Sequence, residues 1–219
     1  MLDRKIIPTI EEAVHFDLQL KNCDRFTLDN KVPVYAMNAG AQDVVMVEWV
    51  FDAGNWYDKQ PMVAATTNFL IKNGTTTKTA YQINDFFEFH GAYLNRSCYN
   101  ETASITLHCL SKHLETLLPV VREIIETSIF PEEELAIYIQ NQKQRLSVNL
   151  QKCDFIANRL IDEYLFGINH PYGTYSNAED YDALTTDAIK AFYKQYYLNG
   201  SCKIFVAGKM PTGYESMLN

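Results

Sequence analysis

Apolar positions in this chain follow two periods, and the switches between them mark out its elements. From Phe26 to Asn38, F-T-L-D-N-K-V-P-V-Y-A-M-N reads as two β segments joined through Asp29-Asn30-Lys31, residues that tolerate a tight turn. Val44–Phe51 (V-V-M-V-E-W-V-F) is apolar and rich in strand formers, and it stops at Asp52-Ala53-Gly54-Asn55. The period then becomes helical. Val63, Thr66 or Thr67, Leu70 and Ile71 fall on one helix face, and the stretch runs through Gly74 into a threonine-rich turn, T-T-T-K. A second helix is expected over 81–90, ending at Gly91. Residues 92–99 and 101–110 return to the strand pattern, with a turn near Asn100.

The second half is mostly helical. Leu114, Leu117, Leu118, Val121, Ile124 and Ile125 form one stripe of a helix over 113–128, and Pro119 inside it predicts a kink or a later start. Phe130-Pro131-Glu132-Glu133-Glu134 opens the next helix, which runs to about Leu150. Proline suits a first turn, where its missing N–H is harmless, and the acids suit the positive end of the helix dipole. A further helix covers 154–166 and ends at Gly167. His170-Pro171-Tyr172-Gly173 is a turn, Thr185 or Thr186 caps a helix through Tyr197, and 202–207 is a last strand. Residues 1–23 read as an extended arm with room for one short helix. Hairpins and grouped helices indicate an α+β fold, with a mainly antiparallel sheet covered by helices on one face. The chain reads as one domain over 1–219, without internal repeat or low-complexity tract.

Charge narrows the function classes. The net charge is -8 over 219 residues, with no basic run, and phosphate contacts need clustered Lys and Arg, so nucleic acid is not an expected partner. The cysteines, Cys23, Cys98, Cys109, Cys153 and Cys202, are odd in number and widely spaced, which argues for a reducing compartment rather than a disulfide framework. Cys98 and Cys109 are expected to face each other across the hairpin as small buried hydrophobes. The N-terminus lacks a secretory pattern and no stretch reaches a membrane span, so the expected location is cytoplasmic, with the periplasm open to a processed N-terminus. The histidines, His15, His90, His108, His113 and His170, include no pair at i, i+3 or i+4. His108 and Cys109 would point to opposite faces of a strand.

Several ordered blocks carry a resemblance. They are the strand followed by Ala53-Gly54, the helix ending in Asn73-Gly74-Thr75, G-A-Y-L-N from Gly91, F-P-E-E-E-L from Phe130, H-P-Y-G from His170, and A-F-Y-K-Q-Y-Y-L-N-G-S-C-K-I-F-V-A-G from Ala191. Each is weak alone. In this order and spacing they resemble the N-terminal half of the insulinase/pitrilysin zinc peptidases, which include the mitochondrial processing peptidases and share a LuxS-like metallohydrolase fold. Active members of that family carry H-x-x-E-H on the first helix, just before K-G-T. Two His at i and i+4 share a helix face and bind one zinc, while the Glu takes a proton from the metal-bound water. A distant Glu on the helix after F-P completes the metal site. Counted back from Gly74-Thr75, the first His falls on Ala65, the Glu on Asn68 and the second His on Phe69, and the distant Glu falls on or beside Arg145. All four positions lack the expected group, so no catalytic residue, metal or cofactor is expected in this chain.

The resemblance further implies a zinc-less member that pairs with an active zinc-peptidase paralogue as a heterodimer, closing a chamber and helping to hold peptide. Zinc is then expected only in the partner. The strand bearing Ala92, Tyr93, Leu94 and Asn95 matches the edge on which the family adds a peptide as an extra strand. The segment 209–219 is expected to begin a linker to a second homologous domain. Two alternatives stay open: a scaffold or chaperone-like peptide-binding subunit without proteolysis, and a metalloendopeptidase with an unconventional zinc site.

Overall fold

A computed structural model describes residue 19 and residues 21–219. The arm expected over 1–23 therefore lies largely outside the described residues, as does His15. The strands are β1 (Asp24–Thr27), β2 (Pro33–Asn38), β3 (Val44–Phe51), β4 (Tyr93–Cys98), β5 (Ala103–Leu110) and β6 (Cys202–Gly208). The helices are α1 (Val63–Leu70), α2 (Ala80–Phe89), α3 (Leu114–Thr127), α4 (Glu132–Asn149), α5 (Cys153–Phe166), α6 (Ala178–Asp182), α7 (Thr186–Tyr193) and α8 (Tyr214–Leu218).

The strands form one sheet in the order β1-β2-β6-β3-β5-β4. Side chains alternate across a strand, so each strand gives one row to the core. In β3 that row is Val45, Val47, Trp49 and Phe51, and register sets Cys109, Leu107, Ile105 and Ala103 of β5 beside it. Ile204 and Val206 of β6, with Val34 and Ala36 of β2, extend the same buried surface. Helices pack on this face. The architecture is α+β, as the pattern indicated, but the sheet is mixed. β2 pairs parallel with β6, while every other neighbouring pair is antiparallel. After β2 the chain passes to β3 two places along the sheet, and the gap between them is filled only by the last strand, β6. No local turn signal marks so long a return.

Three further differences from the expected elements have physical causes. α3 runs unbroken through Pro119, which forfeits one backbone bond while Leu114, Leu117, Leu118, Val121 and Ile124 stay buried along the stripe. The helix expected through Tyr197 is α-helical only to Tyr193 and then widens into a π-helical turn over 194–198. There the Asn199 N–H and side chain both reach the Lys194 carbonyl, and Gly200 lies so close to the Tyr196 carbonyl that a Cβ would meet it at 2.1 Å. The 209–219 segment, expected to begin a linker, carries the short helix α8, which the pattern did not indicate. Tyr214 on α8 packs edge-on against Phe26 at 6.1 Å, and Asn219 Oδ1 accepts the Asp29 N–H at 2.9 Å.

Candidate functional site

α1 begins at Met62, which sits in the left-handed region at φ 70° and offers no side-chain cap. The orphan amides of the first turn are met from upstream. Asp58 Oδ1 accepts the Ala64 N–H at 2.7 Å, and the same carboxyl takes the Met62 N–H. Burial pushes Asp58 up to about 7, against those two bonds.

The two faces of α1 diverge. Val63, Ala64, Thr66, Thr67, Asn68 and Leu70 are buried, while Ala65 is half-buried and Phe69 is 42% exposed. Asn68 points into the core and not toward solvent. Its Nδ2 donates to the Ser104 carbonyl at 3.2 Å and to the Tyr197 hydroxyl at 3.1 Å. Tyr197 is delivered there by the π-helical turn and packs on Phe51 at 4.7 Å. Burial drives the Tyr197 hydroxyl far above its usual range, with the Asn68 bond opposing. At the position expected to hold the general base there is thus a buried amide that ties α1 to β5 and to the turn after α7.

Phe69 carries the other half of the arrangement. Its ring packs against Tyr138 of α4 at 4.8 Å, and the Arg96 guanidinium of β4 lies over it, also at 4.8 Å. Arg96 Nη1 donates to the Phe69 carbonyl, one of the free acceptors at the negative end of α1. The Arg96 Nε is buried without a hydrogen-bond partner, and desolvation lowers the group to about 10. Lys72, just past α1, is lowered first by burial and then by the Arg96 charge. Arg145 is exposed on α4, two turns beyond Tyr138, and its charge acts on the Tyr138 hydroxyl, which burial raises to about 12. The structure therefore gathers Phe69, Tyr138 and Arg96, with Lys72 and Arg145 around them.

These residues do not fit a zinc ion. Ala65 and Phe69 offer no donor atom, Asn68 is engaged elsewhere, and the charged groups are cations. Among the described residues no three His, Cys, Asp or Glu side chains gather where they could hold a metal. Arg96 and Tyr138 were not singled out in the sequence. The signal for Arg96 was its place between Leu94 and Cys98 on the inward row of β4.

β4 is the last strand of the sheet and pairs only with β5, so its outer backbone row faces no strand. Tyr93 and Asn95 are exposed on one face and Leu94 is buried on the other. Ala92 stands just before the strand, its N–H held by the Phe87 carbonyl of α2. Cys98 and Cys109 do not face each other: Cys98 pairs with Ala103, and Cys109 lies at the other end of β5, opposite Val45. Both thiols are free, as are the other three. His108 is exposed and Cys109 buried, on opposite faces of β5.

The remaining blocks are structural anchors. Gly54 is crossed by the β4–β5 turn so closely that a Cβ would sit 2.5 Å from the Tyr99 carbonyl oxygen. Thr75, Thr77 and Lys78 of the threonine-rich turn all bind the Glu123 carboxylate of α3. Burial alone would raise Glu123, but these bonds outweigh it and hold the group at about 2. His170 and Tyr172 pack with Trp56 and Phe166, and Tyr172 donates to Glu101. A cavity of about 900 Å³ lies among β3, α3 and α8, lined by Trp49, Leu118, Arg122 and Met217, with no contribution from α1.

No family model matches the sequence. The chain is 24% identical over 187 residues to an uncharacterized zinc protease of Rickettsia felis, covering 84% of this chain and 45% of that protein. It thus spans less than half the length of the curated relative it matches. The peptidase M16 inactive domain from Pseudomonas fluorescens superposes with a TM-score of 0.83 at 24% identity, over 90% of this chain and 49% of that one. The periplasmic protease PqqL from Escherichia coli gives 0.80 at 14% identity, over 92% and 23%. No described helix is long and apolar enough to cross a membrane. The chain has the fold of the insulinase/pitrilysin (M16) peptidases and resembles them in sequence.

Proposed function

We propose that this chain is a catalytically inactive homologue of the zinc peptidases that serves as the non-catalytic subunit or domain of a peptidase assembly. The observation that carries this reading is the chemistry around Phe69. Counted by the resemblance to that family, the metal-ligand positions hold Ala65 and Phe69, the base position holds the core amide Asn68, and Arg145 brings a cation. In this reading zinc sits in an active paralogue, and the present chain completes the chamber and lends the β4 edge, centred on Tyr93, Leu94 and Asn95, to an extended peptide.

The test is co-expression of the full-length protein with relatives that carry H-x-x-E-H. Co-purification, with peptidase activity above that of the relative alone, is the expected result. Peptide binding without any such association would leave a scaffold role in its place. Stoichiometric zinc in the purified chain, with chelator-sensitive activity, would overturn the reading in favour of an unconventional metal site. Five free thiols also support a reducing compartment such as the cytoplasm. Recovery of the full-length protein in a periplasmic fraction would overturn that placement.

A further inference from the structure

The chain is acidic overall, yet three cations near Phe69 make no ion pair. The ion pairs among the described residues join Lys78 to Glu123, Arg122 to Glu126, Lys143 to Asp182 and Lys209 to Asp43. Lys72, Arg96 and Arg145 are in none of them. Lys72 is close enough to feel the Arg96 charge, and the groups that oppose the two cations are Glu88 near Lys72 and Tyr93 near Arg96. Such a pairing of like charges at a half-buried site is unfavourable unless an anion is shared between them.

Arg96 is also incompletely used. It makes one hydrogen bond, from Nη1 to the Phe69 carbonyl, and its Nε is buried with no partner. A guanidinium presents its donors as a planar fork that matches a carboxylate. The site lies against β4 because Arg96 is itself a β4 residue, one place beyond Asn95.

We propose that Lys72 and Arg96, with Arg145 on the Tyr138 side of the Phe69 ring, form a carboxylate-recognition site for a peptide laid along the β4 edge. The ligand is the peptide's C-terminal carboxylate or an Asp or Glu side chain. The proposal rests on the β4 reading above and names the substrate class for it: acidic or free C-terminal extended peptides. On this view the place of a dication is taken over by positive charge that reads an anion.

Binding of fluorescein-labelled extended peptides to the full-length protein tests it. Three probes share one neutral sequence: one with a free C-terminus, one amidated, and one amidated with an internal Glu. Either carboxylate probe is expected to bind roughly tenfold more tightly than the neutral amide, the effect of one charge-assisted bond, and the better of the two identifies the source. In Lys72→Gln, Arg145→Gln and Arg96→Gln proteins the preference is expected to shrink while the neutral amide binds unchanged. Thermal melts of each variant establish folding, and the more exposed Lys72 and Arg145 keep the test valid if Arg96→Gln unfolds. Equal binding of all three probes, or a preference that survives all three substitutions, overturns the proposal. A backbone N-methylated probe separates the two readings. Loss of its binding supports β4 pairing whatever the carboxylate result. Retained binding with an intact carboxylate preference overturns β4 pairing and leaves the cation site standing. No binding of any probe overturns both.

Discussion

At the scale of single residues, Asn68 and Asp58 show how α1 is held in its place. Asn68 is 2% exposed and bridges Ser104 and Tyr197, so truncation leaves a buried carbonyl and a buried hydroxyl short of a donor. Asn68→Ala is expected to cost about 1–3 kcal/mol, seen as a lowered urea midpoint, and an unchanged midpoint would show that the bridge contributes nothing. Asp58 makes a pH prediction. Its folded value of about 7 lies above the unfolded 3.8, so between them the folded state holds a proton that the unfolded state has lost. That contribution is full below the unfolded value and is lost as pH rises through about 7. The wild type should lose more stability between pH 4 and 7 than Asp58→Asn, which keeps an acceptor for the Ala64 amide. Parallel denaturation curves for the two proteins across that range would refute the assignment.

At the scale of elements, periodicity carried most of the secondary structure, because α3 and β3 bury continuous apolar rows that no other period can satisfy. The positions of the candidate site were named by counting from Gly74-Thr75 and Phe130-Pro131, which are local punctuation in the sequence. What could not be counted was direction and partnership. Sequence located Asn68 but not its turn toward Tyr197, which depends on a π-helical turn set by Asn199 and Gly200. It located Phe69 but not Arg96 above it, since that contact joins two elements. The threonine-rich turn reads as a loop in sequence and is a junction in space. Glu123 holds three of its residues from α3 and Asn73 reaches Glu134 on α4. Glu123→Ala should therefore cost about 1–2 kcal/mol and raise amide exchange over 75–78. Because the folded value, about 2, lies below the ordinary one, this contribution is present above the unfolded value and fades as pH falls through about 2. Unaltered exchange in the variant would mean that the turn holds itself.

At the scale of the whole molecule, the sheet has two edges and they are not equivalent. β1 has 4 residues, most of them exposed, and α8 packs beside it through Tyr214 and Phe26. β4 has 6 residues, lies beside α1, and carries Arg96 on its inner row, so an added strand there would run past Phe69 and the three cations. Backbone pairing recruits whichever edge offers the longer free row, and side-chain chemistry then sets the preference. Peptide addition should slow hydrogen exchange in the outward amides of 93–98 and leave 24–27 unaffected. Amides of β5 are already paired on both sides and should change little. Protection appearing on 24–27 instead would move the peptide to the β1 edge, out of reach of Arg96, and the proposed link between the Phe69 site and peptide recognition would fail at the level of topology.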